Sequence, residues 1–140
     1  VYAPTRVRPL LALEPGNAAP IVWRWDDRGA PDVPTPACDG RRFYMVDDQG
    51  MATCLDAKTG AVLWGPERTV NGTVSASPLL ADGRLYIVNE EGVTAVLRAG
   101  DAFEMLATNE LDGSYTLSSP ITAGGAIFIR TGTNLYRIEK

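Results

Sequence analysis

The sequence predicts an all-β fold: a β-propeller of four-stranded antiparallel blades, of which about three and a half are present. Three observations carry this. Short apolar, β-prone runs bounded by Gly, Asp or Asn recur along the chain. They return at a fixed interval of about 42 residues, within the range of propeller-blade repeats. No stretch sustains the i, i+3, i+4, i+7 apolar pattern of a capped helix.

Within each repeat the elements come in one order. Pro36, Pro78 and Pro120 stand one period apart, as do Leu13, Leu55 and Leu97. Each proline is followed by a glycine turn: Asp39-Gly40, Asp82-Gly83 or Gly124-Gly125. A run rich in aromatic and β-branched residues comes next, at Phe43 to Val46, Leu85 to Val88 and Ile127 to Ile129. A second turn ends in Gly50, Gly92 or Gly132, and a third run follows at Ala52 to Leu55, Thr94 to Leu97 and Leu135 to Ile138. A β-sandwich also has many short strands but requires no such repeat. Proline cannot donate to a central ladder, so each repeat proline belongs at a strand start or edge.

Residues 1–140 form one partial propeller domain on this reading. A truncated first blade spans about 1–30, with its second strand at Val1-Tyr2, a third near Val7 to Leu13 and a fourth near Ile21 to Trp25. The second blade covers about 33–69 and the third about 74–111, with Phe103 to Thr108 as its outer strand. The last covers about 115–140 and stops after its third strand.

Composition removes several function classes. Net charge is −4 and the Arg residues are scattered, so no basic face for nucleic acid is expected. No apolar run approaches the roughly 20 residues of a spanning helix, and a soluble chain is expected. The chain has no histidine, which removes the commonest general base, the Ser-His-Asp and Cys-His arrangements and most zinc sites. No catalytic, cofactor or metal site is therefore expected, and the chain reads as a non-enzyme. Val1-Tyr2-Ala3 shows neither an initiator Met nor a signal peptide, so a processed product or excised piece is expected.

One segment has a legible local logic, Asp56-Ala57-Lys58-Thr59-Gly60-Ala61-Val62-Leu63-Trp64. Asp56 and Thr59 can bond the backbone of a tight turn, and Gly60 supplies a positive φ. Trp64 on the outer strand then lays its ring across the neighbouring blade, with one N–H seeking an acceptor. This D-x-x-T-G-x-x-x-W pattern resembles the tryptophan-docking motif of the quinoprotein-like propellers. The first blade keeps Leu13-Glu14-Pro15-Gly16 with Trp23 or Trp25, and the third keeps Arg98-Ala99-Gly100-Asp101 without a Trp.

The resemblance implies one of two kinds of protein. One is a non-catalytic exported propeller, such as the outer-membrane β-barrel assembly lipoprotein, acting as a protein-interaction scaffold in the periplasm or outside the cell. The other is a non-catalytic portion of a dehydrogenase that binds pyrroloquinoline quinone, with the cofactor site elsewhere. Such dehydrogenases use adjacent cysteines and a calcium held by Glu, Asn and Asp, and Cys38 and Cys54 are not adjacent. The first kind is favoured.

The remaining candidates have plain structural readings. Cys38 and Cys54 fall on the first and third strands of one blade, about 10 Å apart, beyond disulfide reach. They are expected as two free, buried thiols. Asp47-Asp48-Gln49-Gly50 and Asn89-Glu90-Glu91-Gly92 read as matching hairpin turns without a metal, and Asp26-Asp27-Arg28-Gly29 as a solvated loop. The Asn71-Gly72-Thr73 sequon reads as a turn. Trp23, Trp25 and Trp64 read as packing between blades. Trp23 and Trp25 share one side of their strand, with one of them partly exposed.

A propeller protects its edges by closing. Three arrangements stay open for an arc such as this: the C-terminal part of a larger ring, a pairing with a second copy, or an arc that stands alone. A protein partner or second copy completing the ring is the expected partner.

Overall fold

The computed structural model describes residues 1–3, 9–16, 18, 20–27 and 29–139. Among them the chain forms fourteen strands and no helix, arranged in four antiparallel sheets in chain order. The first sheet holds β1 (Tyr2–Ala3), β2 (Leu10–Leu13) and β3 (Ile21–Trp25). The second holds β4 (Ala37–Cys38), β5 (Arg42–Val46), β6 (Met51–Asp56) and β7 (Val62–Arg68). The third holds β8 (Leu79–Ala81), β9 (Arg84–Val88), β10 (Val93–Arg98) and β11 (Met105–Glu110). The fourth holds β12 (Ile121–Ala123), β13 (Ala126–Arg130) and β14 (Leu135–Ile138). The fold is a partial β-propeller.

The second blade is apolar on both faces because it is covered on both. Side chains alternate along a strand. Phe43, Met45 and Leu55 point to the first blade and pack with Leu10, Ala12, Trp23 and Trp25. Tyr44, Val46, Ala52 and Cys54 point the other way and pack with Leu85, Ile87, Ala95 and Leu97 of the third blade. Each large side chain so buried is worth about 1.5–3 kcal/mol over leaving it in water. The third interface is thinner: Ala76, Val88 and Ile129, with Leu111 and Ile127 at its margin.

Pro36, Pro78 and Pro120 each stand immediately before β4, β8 and β12, where no ladder donor is lost. One residue earlier a hydrogen-bond chain links successive blades. Thr35 N–H donates to Ser77 Oγ and Ser77 N–H to Ser119 Oγ, each at 2.9 Å. The repeat in the sequence is thus a repeat of contacts.

Two strand positions differ from the sequence reading. The outer strand of the third blade is Met105–Glu110, two residues later than Phe103 to Thr108. The cause is Phe103, whose ring leaves the sheet to meet Trp64 at 5.5 Å, edge to face. The first strand is Tyr2–Ala3, one residue later than Val1-Tyr2, and the Val1 ammonium donates to Leu13 O at 2.7 Å. The expected start of the next strand at Val7 lies outside the described residues; β2 is described from Leu10.

Candidate functional site

The segment after β6 folds as a braced turn. Asp56 Oδ1 accepts from Lys58 N (3.0 Å), Thr59 N (2.8 Å) and Thr59 Oγ1 (2.9 Å). Gly60 N donates to Asp56 O at 2.8 Å, and Asp56 N to Ala61 O at 2.8 Å. The Thr59 hydroxyl and backbone N–H hold the Asp56 carboxyl below its ordinary range. Gly60 sits at φ +75°.

This turn receives the ring of the preceding blade. Trp23 lies on Gly60 so closely that a Cβ there would meet Cδ2 at 2.8 Å. Trp23 Nε1 donates to Ala57 O at 3.0 Å, and the Tyr2 hydroxyl donates to the same carbonyl at 3.0 Å. Tyr2 also packs 4.4 Å from Phe43, centroid to centroid. Burial, with help from the Cys38 thiol, pushes its phenol up to about 12. Trp64, at the other end of the motif, faces forward. Its Nε1 donates to Gly100 O at 3.0 Å on the corresponding turn of the third blade, and its ring is bracketed by Tyr44 and Phe103. Asp56, Thr59 and Gly60 therefore meet at one inter-blade contact and Trp64 belongs to the next.

Ion pairs flank the second contact. Arg41 Nη2 reaches Asp101 Oδ2 at 2.7 Å and Arg42 Nε reaches Asp101 Oδ1 at 2.6 Å. Arg42 Nη1 also holds Asp39 Oδ2 at 3.1 Å. Arg41 is largely exposed, so its pair adds about 0–1 kcal/mol and chiefly sets orientation. Sequence reasoning missed this clamp, because its partners lie 59 and 60 residues apart. A paired reading of Arg41-Arg42 with the acid after Gly100 was the available signal.

The other candidates fall out as follows. Cys38 and Cys54 are both free, on β4 and β6 with β5 between. Cys54 is fully buried and burial pushes its thiol up to about 12. Cys38 is exposed, which corrects the expectation of two buried thiols. It shares the Phe43 side of the sheet, where its Sγ accepts from Gly40 N at 3.3 Å and lies 3.9 Å from the Tyr2 hydroxyl. Trp23 and Trp25 are both buried, so neither is partly exposed as expected; both lie in the packing between the first and second blades.

The two acidic loops are equivalent turns. Asp47 Oδ1 accepts from Gln49 N and Met51 N, and Asn89 Oδ1 from Glu91 N and Val93 N. Among the described residues no three His, Cys, Asp or Glu side chains converge as metal ligands. Asn71 O accepts from Asn89 Nδ2 at 2.8 Å, which ties the sequon turn to the next hairpin.

Comparison with known proteins places this arrangement. Residues 14–114 match the family described as outer membrane protein assembly factor BamB. Curated relatives include BamB of Salmonella typhimurium, 28% identical over 92 residues, which are 66% of this chain and 23% of that protein. BamB of Yersinia pestis is 26% identical over 115 residues, 81% of this chain and 28% of that protein. The chain thus spans about a quarter of the length of the curated relatives it matches. Among solved structures, BamB from Moraxella catarrhalis superposes with a TM-score of 0.71 at 18% identity, over 99% of this chain and 45% of that one. A europium-containing methanol dehydrogenase shares the fold at a TM-score of 0.62 and 18% identity, over 81% of this chain and 23% of that one. With a regular blade repeat, a four-sheet partial propeller and a match across most of its length, the chain belongs to the family of the outer membrane protein assembly factor BamB and carries a quinoprotein-like propeller repeat.

Proposed function

We propose that the chain works as a non-catalytic protein-interaction scaffold, part of a larger exported propeller or a half ring that pairs with a second copy, in the periplasm or outside the cell. The observation that carries this is where apolar surface lies uncovered. The second blade is closed on both faces, whereas Ile21 and Val22 of the first blade are 56% and 54% exposed. Ile121 and Leu135 of the last are 58% and 70% exposed. Uncovered apolar surface of this kind marks protein contact. The relatives' name as assembly factors supports the same reading. In it, the turn of Asp56, Thr59 and Gly60 and the ring of Trp64 serve as the docking motif that fixes blade to blade.

The competing reading is a non-catalytic portion of a quinone-dependent dehydrogenase. Absorbance titration of the chain with pyrroloquinoline quinone and calcium separates the two. The scaffold reading predicts no saturable spectral change, and a saturable change would contradict it.

A further inference from the structure

The connection from β7 to β8 brings together the parts of a reaction within the chain itself. Of the asparagines, only Asn71 is followed by glycine, so only there does no side chain shield the next backbone nitrogen. Asn71, Gly72 and Thr73 are all exposed. Among the described residues, the Asn71 carboxamide and the Gly72 N–H make no hydrogen bond. One repeat away on either side, the place of Asn71 is taken by Gly29 and Gly113, so the pair belongs to this connection alone.

The hairpin that joins β9 to β10 holds this connection from the next blade. Asn89 Nδ2 donates to Asn71 O at 2.8 Å, and Glu90 N donates to Thr73 O at 2.9 Å. Asn71 O belongs to the same peptide group as Gly72 N. A donor on that oxygen stabilises the anion left when the nitrogen loses its proton. The donor is fixed in place: Asn89 is buried, and its Oδ1 accepts from Glu91 N at 3.1 Å and Val93 N at 2.7 Å. Gly72 sits at φ +79°, and a Cβ there would meet Glu91 Oε2 at 2.6 Å and Oε1 at 3.2 Å. The Glu91 carboxylate therefore lies against the Gly72 backbone, beside the amide whose proton it would accept.

We propose that Asn71-Gly72 is a site of self-modification, at which the folded chain converts Asn71 to aspartate and isoaspartate with the aid of Asn89 and Glu91. Glu91 takes the proton from Gly72 N. The nitrogen attacks Asn71 Cγ; the N–Cγ bond forms, the Cγ–Nδ2 bond breaks, and the proton leaves with ammonia. Water then opens the resulting cyclic imide. Entry at Cγ leaves an aspartate, and entry at the main-chain carbonyl leaves an isoaspartate whose backbone runs through the side chain. The balance is water consumed and ammonia released. Either product sets a second carboxylate beside Glu91, where like charges repel. Isoaspartate also lengthens the connection and displaces the oxygen that Asn89 holds. The change is one-way, so it marks the age of a chain and loosens this end of the contact between the second and third blades.

The test is incubation of the folded 140-residue chain at neutral pH, followed by mass mapping of the tryptic peptide 69–84, in which Asn71 is the sole asparagine. The mass gain of exchanging NH2 for OH is expected at Asn71, with isoaspartate identified by its fragmentation, while Asn89, Asn109 and Asn134 stay intact. Asn89→Asp removes the donor but keeps the acceptor oxygen of its turn, the role Asp47 fills in the second blade. It should slow conversion at least ~10-fold, the loss of one charge-assisted hydrogen bond. Glu91→Gln, at an exposed position that does not threaten the fold, should slow it at least ~10-fold by removing the proton acceptor. Glu110→Gln should leave the rate unchanged. Persistence of Asn71 in the folded chain while the urea-unfolded chain converts would overturn the proposal. So would conversion that neither Asn89→Asp nor Glu91→Gln slows.

Discussion

Substituting Gly60 by alanine probes the contact between the first two blades, and a second glycine supplies its control. Gly60 and Gly83 both occupy the left-handed region, at φ +75° and +68°. Alanine there costs about 1–2 kcal/mol in backbone strain at either site. A Cβ at Gly83 has nothing within 4 Å. At Gly60 it would meet Trp23 Cδ2 at 2.8 Å, Cε3 at 2.9 Å and Cγ at 3.0 Å. The ring is pinned by its bond to Ala57 O and by Tyr2 and Phe43, so it cannot withdraw freely. Overpacking of this kind adds about 1–3 kcal/mol. Gly83→Ala should therefore lose about 1–2 kcal/mol and Gly60→Ala about 2–5 kcal/mol. For a chain of 140 residues, 1 kcal/mol corresponds to a Tm shift of roughly 3 °C. Urea unfolding followed by tryptophan fluorescence measures both. Equal losses in the two variants would refute the view that the Trp23 ring rests on the Gly60 turn.

Exposure and electrostatics set the remaining outcomes. A thiol reagent should modify Cys38 in the folded chain and reach Cys54 only on unfolding; equal native rates would contradict the packing. Cys54 is raised from 9.0 to about 12 in the fold, so its contribution to stability is complete below pH 9 and is lost as pH climbs towards 12. Tyr44, raised from 10.0 to about 12 by burial, steepens the same window. Cys54→Ala should flatten the alkaline decline, as read from unfolding midpoints between pH 8 and 11. Asp112 gathers Ser114 Oγ (2.7 Å), Thr133 Oγ1 (2.6 Å), Asn134 Nδ2 (2.5 Å) and Thr131 Oγ1 (3.1 Å) around one carboxylate. Its pKa is held well below the usual range by these donors, Thr133 foremost. The stability it lends is present above the unfolded carboxyl pKa and lost as pH falls through the folded one. Asp112→Asn should thus destabilise the last blade at pH 7 and lose its effect in strong acid, as amide exchange in β13 reports.

The propeller repeat was legible because glycine and proline punctuate it at backbone positions with few alternatives. Gly50 and Gly92 take φ +78° and +77° in the same turn, and Pro36 and Pro78 precede the same strand start. Local chemistry also exposed the Asp56, Thr59 and Gly60 turn, whose bonds span only a few residues. What sequence patterns did not disclose depends on which blade covers which surface. Cys38 is β-prone and small, yet it lies exposed because its side of β4 meets little more than Tyr2. Phe103 has the residue type of a strand interior, and its attraction to a ring from another blade moves β11 along by two residues. Asp101 lies in the turn after β10 and Arg42 at the start of β5, and only the packed arc brings them together.

Indole N–H exchange measured by NMR tests most directly whether the blades are joined by tryptophan-to-turn contacts. The Trp23 and Trp64 indole protons, bonded to Ala57 O and Gly100 O, should exchange with solvent at least ~10-fold more slowly than in the unfolded chain. Their protection should collapse together with the fold. Exchange of the Trp64 indole at the unfolded rate, while the β5 and β6 amides stay protected, would contradict the account: the blades would then stand without the lock.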